Sequence, residues 1–374
     1  MSEAEDVSFM ARALALAARG VASTEPNPAV GCVIVKDGVA VGEGFTQPAG
    51  GNHAEIEALN AAGTKACGAT VYVSLEPCAH TGRTGPCTTA LIAAGVARVV
   101  FALEDPNPQV AGTGARTLIE AGIRVDFPLL PEEAERLNRG FVSRMRRGRP
   151  WIRCKMAASL DGRTALANGA SQWITGDAAR RDVHRWRAQS AAVMTGIGTL
   201  LADDPALTAR ADDLEIEVLQ PKRVIIDSNL RTPPTAKTLG LEGEVMVFAG
   251  PPADSDAAAR RKALQDAGAR LEIVAASPRC DLAVVVRRLT ELEINSVWLE
   301  AGPTLAGAML AAGLVDELIL YLAPCLLGHD ARALFELPLL EQLDHRFRLT
   351  IDDVSSIGAD LRVIARPATE SGSH

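Results

Sequence analysis

The chain has 374 residues, 48% of them hydrophobic, enough for about two domains with substantial cores. A formal net charge of -8 and an aromatic content of 4% weigh against a nucleic-acid binder, which needs a basic surface and stacking platforms. No stretch is apolar for long enough to span a membrane, and the acidic start MSEAEDVSF lacks the basic and apolar regions of a signal peptide. No membrane partner is therefore expected. Seven scattered cysteines form no dense framework, which fits a reduced, cytoplasmic setting.

In chain order, VSFMARALALAAR (7–19) repeats apolar residues at helical spacing and stops at Gly20. GCVIVKDGVAVGEGF reads as a hairpin turning at Asp37 and Gly38. HAEIEALNAAG predicts a helix ending at Gly63, and residues 69–75 predict a strand. Residues 85–95 read as a helix with Gly95 at its C-cap, and 97–103 as another strand. The alternation implies a sheet covered by helices on both faces. Residues 131–150 look like a boundary element, with acids early and bases late as helix ends prefer. Arg144, Arg146, Arg147 and Arg149 there read as a solvated helix end or a wall between domains rather than a nucleic-acid patch. A second α/β run begins at WIRCKMAAS, with helices over 176–189 and 256–268. Its strands are KRVIIDS, EVMVFAG, SVWLEAG and ELILYLA. The tail ATESGSH has no core-forming pattern and is expected to be disordered.

The chemistry concentrates in two stretches. His53 and Glu55 open one predicted helix, Cys78 follows a strand, and Cys87 lies in the opening turn of the next helix. A helix N-terminus favours the thiolate that binds zinc. Three protein ligands leave one tetrahedral position for water, the catalytic rather than the structural pattern. A metal acidifies that water. Glu55 is then placed to shuttle its proton to a leaving amine, the arrangement of the zinc deaminases. Two other readings compete. A redox pair would sit closer, as C-x-x-C, and a structural zinc would need a fourth ligand, for which His80 is the candidate. Eight residues, AHTGRTGP, separate the cysteines, where nucleoside and nucleic-acid deaminases commonly have two. That loop adds His80, Arg83 and Thr84, suited to a phosphate or other polar end of a small substrate.

The second half carries no G-x-G-x-x-G. EAGPTLAG (300–307) follows an apolar strand and leads into an apolar helix. Gly302 and Thr304 either offer amides and a hydroxyl to a pyrophosphate or form a tight turn.

Taken together, these stretches closely resemble the RibD family of riboflavin biosynthesis, in which a pyrimidine deaminase is fused to a pyrimidine reductase. The matched motifs are PNPAVGCVIV, HAEIEAL, LEPCAHTGRTGPC and EDPNPQVAGTG, then KMAASLDGRTA, SQWITG, LADDPALTAR, VIIDS and EAGPTLAG. The resemblance implies an α/β protein with a cytidine-deaminase-like three-layer domain over 1–148. A dihydrofolate-reductase-like domain would follow over 149–368, with a tail over 369–374. It implies hydrolytic deamination of 2,5-diamino-6-ribosylamino-4(3H)-pyrimidinone 5′-phosphate. NADPH-dependent reduction of 5-amino-6-(5-phosphoribosylamino)uracil to its ribitylamino product would come second.

Carried onto this sequence, the family pattern gives one Zn2+ per chain on His53, Cys78 and Cys87, with Glu55 catalytic, as the residue chemistry does. Asn27, His80, Arg83 and Asn107 would surround the deaminase substrate. NADPH would lie on Ala157, Trp173, Thr199, Asp203 and Ser228, and on the turn Gly302, Pro303, Thr304, Leu305, Ala306, Gly307 and Ala308. Ser171, Arg187, Leu207, Arg210 and Glu300 would hold the reductase substrate, the two arginines as phosphate clamps. Lys155 and Asp161 are candidates to assist the reduction, and Asp227 is either functional or the cap of a strand end. A homo-oligomer, in the first place a dimer, is expected. Three departures from the family pattern bear on the deaminase pocket: Gly85 for a proline, Glu57 for a histidine, and Thr46 for a histidine.

Overall fold

The protein is described by a computed structural model covering residues 2–80, 85–108, 110–210, 218–251, 254–274 and 279–368. It divides into two compact units, Met1–Arg149 with Glu215–Leu219, and Pro150–Leu214 with Gln220–His374.

The elements of the first unit are α1 (Glu3–Gly20), β1 (Gly31–Lys36), β2 (Val39–Phe45), α2 (Ala54–Ala62), β3 (Thr70–Val73), α3 (Cys87–Ala93), β4 (Arg98–Phe101), α4 (Thr113–Glu120), β5 (Arg124–Asp126), α5 (Pro131–Leu137) and α6 (Arg139–Arg147). The strand order is β2-β1-β3-β4-β5. β1 runs antiparallel to β2 and β3, while β3, β4 and β5 are parallel. α1 begins before its apolar stripe because Ser2 and Glu5 close a capping box.

Close approach of helix to strand sets the layers. A Cβ on Gly31 would stand 2.0 Å from the Ala13 carbonyl oxygen of α1. One on Gly44 would stand 2.6 Å from the Ala54 carbonyl oxygen of α2. Gly31 is opposite Phe45 and Gly44 is opposite Cys32. Neighbouring residues on a strand face opposite ways, so α1 and α2 cover opposite faces of the sheet. The core holds Ile34, Tyr72, Leu91, Phe101 and Leu118.

The stretch 131–150 ends at the division between the units, and its helices belong to the first. α5 and α6 contribute Ala134 and Val142 to its core. Between them, buried Asn138 accepts from the Ala29 N–H at 2.8 Å and donates to the Ala29 carbonyl at 2.9 Å. The basic end is held internally: Arg146 pairs with Glu135 at 3.1 Å, and Arg147 donates to Ser143.

The second unit continues with β6 (Trp151–Ser159), β7 (Arg163–Ala165), α7 (Asp177–Ala188), β8 (Ala192–Gly196), α8 (Ile197–Asp203), β9 (Lys222–Ile226), β10 (Val245–Ala249), α9 (Ala257–Asp266), β11 (Arg270–Ile273), α10 (Leu282–Glu291), β12 (Ser296–Glu300), α11 (Pro303–Ala311), β13 (Glu317–Ala323), β14 (Arg332–Ala333), β15 (Leu349–Ile357) and β16 (Asp360–Pro367). Nine of these strands form one sheet, ordered β11-β10-β9-β8-β12-β6-β13-β16-β15. It is parallel from β11 to β13, and β16 and β15 add an antiparallel edge. β10 and β12 are nearly continuous apolar runs, as strands covered on both faces are. Crossover strands of this kind gather ligand sites beyond their carboxyl ends.

Candidate functional site

The first site is assembled by three breaks in regular structure. His53 is the extended N-cap of α2, and Glu55 lies in the first turn. An offset of two residues does not share a face within a helix, but the cap residue is still outside the helix, so both converge. Cys78 follows β3 in the loop 74–80, and Cys87 is the first residue of α3 after Pro86. Nδ1 of His53 is 3.2 Å from Sγ of Cys87 and 3.6 Å from Sγ of Cys78. The three donor atoms lie within 4.8 Å of one another. Among the described residues this is the one such cluster of His, Cys and carboxylate groups. One nitrogen and two sulfurs at this spacing suit tetrahedral zinc with a fourth position open.

The electrostatics suit this at Cys78 and Glu55, while the hydrogen bond shared with Cys78, then burial, push the Cys87 thiol up. Hydrogen bonding to the Cys87 thiol, to His53 and to the Cys87 N–H (3.4 Å) outweighs burial and draws the Cys78 thiol down to about 4. Thiolate is the ligating form. Glu55 is only 4% exposed. Burial and the neighbouring Cys78 charge push its carboxyl up to about 7. A carboxyl poised there both accepts and returns a proton near neutral pH.

Glu76, inside the LEPC stretch, has a role that sequence reasoning missed. Buried, it accepts N–H bonds from Asp105 (3.1 Å), Gly112 (3.0 Å) and Ala115 (3.0 Å). This ties the loop after β3, the loop after β4 and the start of α4 into one block behind Cys78. Gly114 permits the same approach, since a Cβ there would lie 2.0 Å from the Pro77 carbonyl oxygen. An acid directly before Pro-Cys was the available signal.

The remaining deaminase residues sit nearby in sequence but are differently placed. His80 is exposed, and half-buried Asp105 has its carboxyl raised, first by burial. Asn107 receives a turn bond, its N–H donating to Asp105 at 2.8 Å. Asn27 is half-buried in the turn after α1, and Arg83 lies outside the described residues. Of the departures, Thr46 is buried and committed: its hydroxyl accepts from the Val30 N–H at 3.1 Å. Glu57 accepts from Asn52 at 2.8 Å on an exposed surface. The Gly85 Cβ position is open, with nothing within 4 Å among the described residues.

The second site is a cleft of about 970 Å³ beyond the carboxyl ends of β9, β8, β12 and β6. Ala157, Ser171, Thr199, Asp203, Ser228, Glu300, Gly302, Pro303, Thr304, Leu305 and Ala308 line it. Gly302 caps α11, and its N–H donates to Thr199 at 3.1 Å, pinning the turn.

Six expected residues are placed otherwise. Ala306 is fully buried in the core, and Gly307 packs on the Glu336 carbonyl, which a Cβ would meet at 2.1 Å. Both lie on the inward side of α11. Leu207 is core, 1% exposed, against Trp298 and Tyr321. Trp173 is exposed beneath the Arg180 guanidinium, 4.6 Å from ring centroid to carbon, and is not among the lining residues. The Arg210 backbone N–H donates to His184 at 3.2 Å, outside the lining. Arg187 is no free phosphate clamp. Its Nε and Nη2 grip both oxygens of Glu300 at 2.5 and 2.8 Å, and Nη1 donates to the Thr208 carbonyl at 3.0 Å.

That pair governs the charge of the cleft floor. Burial alone would raise Glu300, but Arg187, then Lys155 and the Trp298 N–H (2.6 Å), hold it down at about 2. Lys155 lines the cleft, and burial lowers its ammonium against the pull of Glu300. Asp161 is spent on structure: its carboxylate takes the Leu327 and Gly328 N–H groups at 3.1 and 2.8 Å. Asp227 is fully buried and caps the turn after β9, accepting from the Thr232 N–H and hydroxyl, both at 2.7 Å.

A His-Cys-Cys centre with a buried acid in one unit, and a strand-end cleft with a capped helix turn in the other, define a fused deaminase and reductase. Residues 3–103 match the cytidine and deoxycytidylate deaminase zinc-binding region, and residues 150–363 match the RibD C-terminal domain. The riboflavin biosynthesis protein RibD of Escherichia coli K12 is 52% identical over 96% of this chain and 98% of its own length. That of Haemophilus influenzae is 45% identical over 97% and 98%. Among solved structures, Acinetobacter baumannii RibD (form 2) superimposes with a TM-score of 0.89 at 46% identity, covering 97% of this chain and 99% of that one. A diaminohydroxyphosphoribosylaminopyrimidine deaminase/5-amino-6-(5-phosphoribosylamino)uracil reductase from Thermotoga maritima gives 0.84 at 32%, covering 97% and 99%. The chain belongs to the RibD family, the bifunctional deaminase/reductases of riboflavin biosynthesis.

Proposed function

We propose that the first unit deaminates 2,5-diamino-6-ribosylamino-4(3H)-pyrimidinone 5′-phosphate, and that the second reduces the resulting 5-amino-6-(5-phosphoribosylamino)uracil with NADPH. The observation that carries the reading is the burial of Glu55 beside the convergent His53, Cys78 and Cys87. The similarity to the Thermotoga maritima deaminase/reductase supports the substrate pair.

In this reading His53, Cys78 and Cys87 would hold zinc, which when bound would acidify a water. Glu55, itself only 4% exposed, takes the water's proton and delivers it to the leaving amine as ammonia departs. Glu76 keeps Cys78 in place through three backbone bonds. His80, Asn27, Asn107 and Arg83 serve the substrate at the pocket mouth.

In the second unit NADPH supplies the hydride. Ala157, Thr199, Asp203, Ser228 and the turn at Gly302–Leu305 fit it along the cleft. Ser171 and ionised Glu300 orient the ribosyl unit of the substrate, and Arg187 fixes the Glu300 carboxylate. Lys155, lining the cleft with a lowered pKa, is better placed than Asp161 to pass a proton to the reduced sugar. The partners are phosphorylated pyrimidines. A homo-oligomer, in the first place a dimer, and a cytoplasmic setting complete the reading. No described helix is long and apolar enough to cross a membrane.

The test is sequential. Zinc-replete protein given the diaminopyrimidinone phosphate should release ammonia without NADPH. Addition of NADPH should then give the ribitylamino product. Zinc-replete, folded protein that performs neither step removes the proposal.

A further inference from the structure

Arg210 ends a segment whose backbone is fixed at three successive residues. Arg187 donates to the Thr208 carbonyl at 3.0 Å. The Gln220 amide takes the Ala209 N–H and donates to the Ala209 carbonyl, both at 3.0 Å. The Arg210 N–H donates to Nδ1 of His184, on α7, at 3.2 Å. The Arg210 side chain is not so committed. It is exposed and has no carboxylate partner among the described residues, and its Nη2 lies 3.1 Å from Nε2 of the same histidine.

That last contact is a meeting of two donors. Burial, then the Arg187 and Arg210 charges, push His184 down to about 4, so the ring is neutral and carries one N–H and one acceptor nitrogen. The backbone donor has a fixed direction and takes Nδ1, which assigns the ring proton to Nε2. Nε2–H and the Nη2 donor therefore face each other. An anion with several oxygens, lying over both, satisfies them together. Arg181, three residues before His184 and exposed, adds positive charge on the same helix face. The Arg187 guanidinium bridges the Thr208 carbonyl to both oxygens of Glu300. The donor pair and the Glu300 carboxylate are thus joined through one guanidinium and the short segment 208–210.

We propose that His184 is a substrate-binding residue of the reductase: its Nε2–H and the Arg210 guanidinium together receive the 5′-phosphate of the phosphoribosyl substrate, and this pair, rather than Arg187, selects the phosphorylated sugar over the free one. The inference rests on reading the second unit as the reductase of a phosphoribosylated pyrimidine, and adds to it a residue and a source of selectivity. All three Arg187 nitrogens are engaged, whereas Arg210 is held by its backbone and leaves its side chain to the ligand. Because the backbone from 208 to 210 is already fixed, the grip is organised before the phosphate arrives.

The test sets two substitutions of one residue against each other. Asparagine offers an acceptor where Nδ1 stands and no donor where Nε2 stands, whereas glutamine reaches the Nε2 position with an amide N–H. Full-length wild-type protein, His184→Asn, His184→Gln and Arg210→Gln are assayed with NADPH on 5-amino-6-(5-phosphoribosylamino)uracil and on its dephosphorylated riboside. Wild-type protein should prefer the phosphorylated substrate. His184→Asn and Arg210→Gln should each lower that preference, read as a ratio of kcat/KM values, by roughly 10- to 100-fold, the worth of a charge-assisted hydrogen bond, and mostly through KM. His184→Gln should restore most of it. NADPH binding by each variant certifies the fold. On wild-type protein, ribose 5-phosphate but not ribose should move the Nε2 resonance of His184, a reading that needs no variant to fold. No preference in wild-type protein, an unchanged ratio or an equal loss on both substrates in His184→Asn, a His184→Gln protein no better than His184→Asn, or a resonance that ribose 5-phosphate leaves in place overturns the role of His184 and leaves the reductase standing. Wild-type protein that reduces neither substrate overturns the reading on which the inference rests.

Discussion

Replacing Gly114 with alanine tests how the first unit builds its metal centre. The new Cβ would lie 2.0 Å from the Pro77 carbonyl oxygen and 3.1 Å from Oε1 of Glu76, whereas ordinary contact begins at 3.4 Å. The nearest obstacle is backbone, so no side-chain rotation relieves it. α4 and the segment before Cys78 must part by about 1.4 Å, and a zinc site tolerates displacements of only about 0.2 Å. Overpacking of this kind costs about 1–3 kcal/mol. Displacing the support behind a ligand typically weakens metal binding about 10- to 100-fold. Zinc affinity by chelator competition and thermal unfolding of the full chain provide the readouts, with NADPH oxidation by the second unit as internal control. Gly114→Ala protein with wild-type zinc affinity and unfolding would refute the account of Glu76 and Gly114 as one block.

Gly85→Ala is the matching control; with nothing among the described residues within 4 Å of its Cβ, zinc affinity and stability should stay at wild-type values, and a loss in either would show a hidden constraint. Glu55→Gln should retain zinc and fold yet lose deamination by at least about 100-fold, the scale of general acid–base catalysis; equal turnover rejects the proton shuttle. Asn138→Ala strands the buried N–H and carbonyl of Ala29 and should cost about 1–3 kcal/mol in denaturant unfolding. An unchanged midpoint would mean that solvent replaces the clamp. Glu300, held at about 2 in the folded state against an ordinary 4.5, has a depressed pKa. Its contribution of about 3 kcal/mol is present above pH 4.5 and is lost as pH falls towards 2. Glu300→Gln should therefore flatten the acid side of the stability profile. An unchanged slope there would show that the carboxylate is not held down.

By itself, the sequence determined the first unit's elements from α1 to β4, though not α4 and β5, together with the candidate metal donors and the acid beside them. These are local properties: apolar periodicity, glycine stops, and cysteines and histidine at element ends. The same locality exposed EAGPTLAG as a strand-to-helix turn. Only the tertiary structure decided what partner each polar side chain has. Glu76 reaches Ala115 across 39 residues, and Arg187 reaches Glu300 across 113. A charge 113 residues away leaves no trace in local pattern, so Arg187 read as a free clamp until its partner appeared. Asn138, inside the stretch read as a boundary element, likewise gave no local sign of its partner, because its bonds run 109 residues back to Ala29. α11 shows the division within one motif. The sequence marks the whole turn from Gly302 to Ala308, but helical geometry sends Ala306 and Gly307 into the core and leaves Gly302–Leu305 and Ala308 on the cleft. Side-chain direction and long-range pairing are set by packing, and packing is decided only when the chain closes on itself.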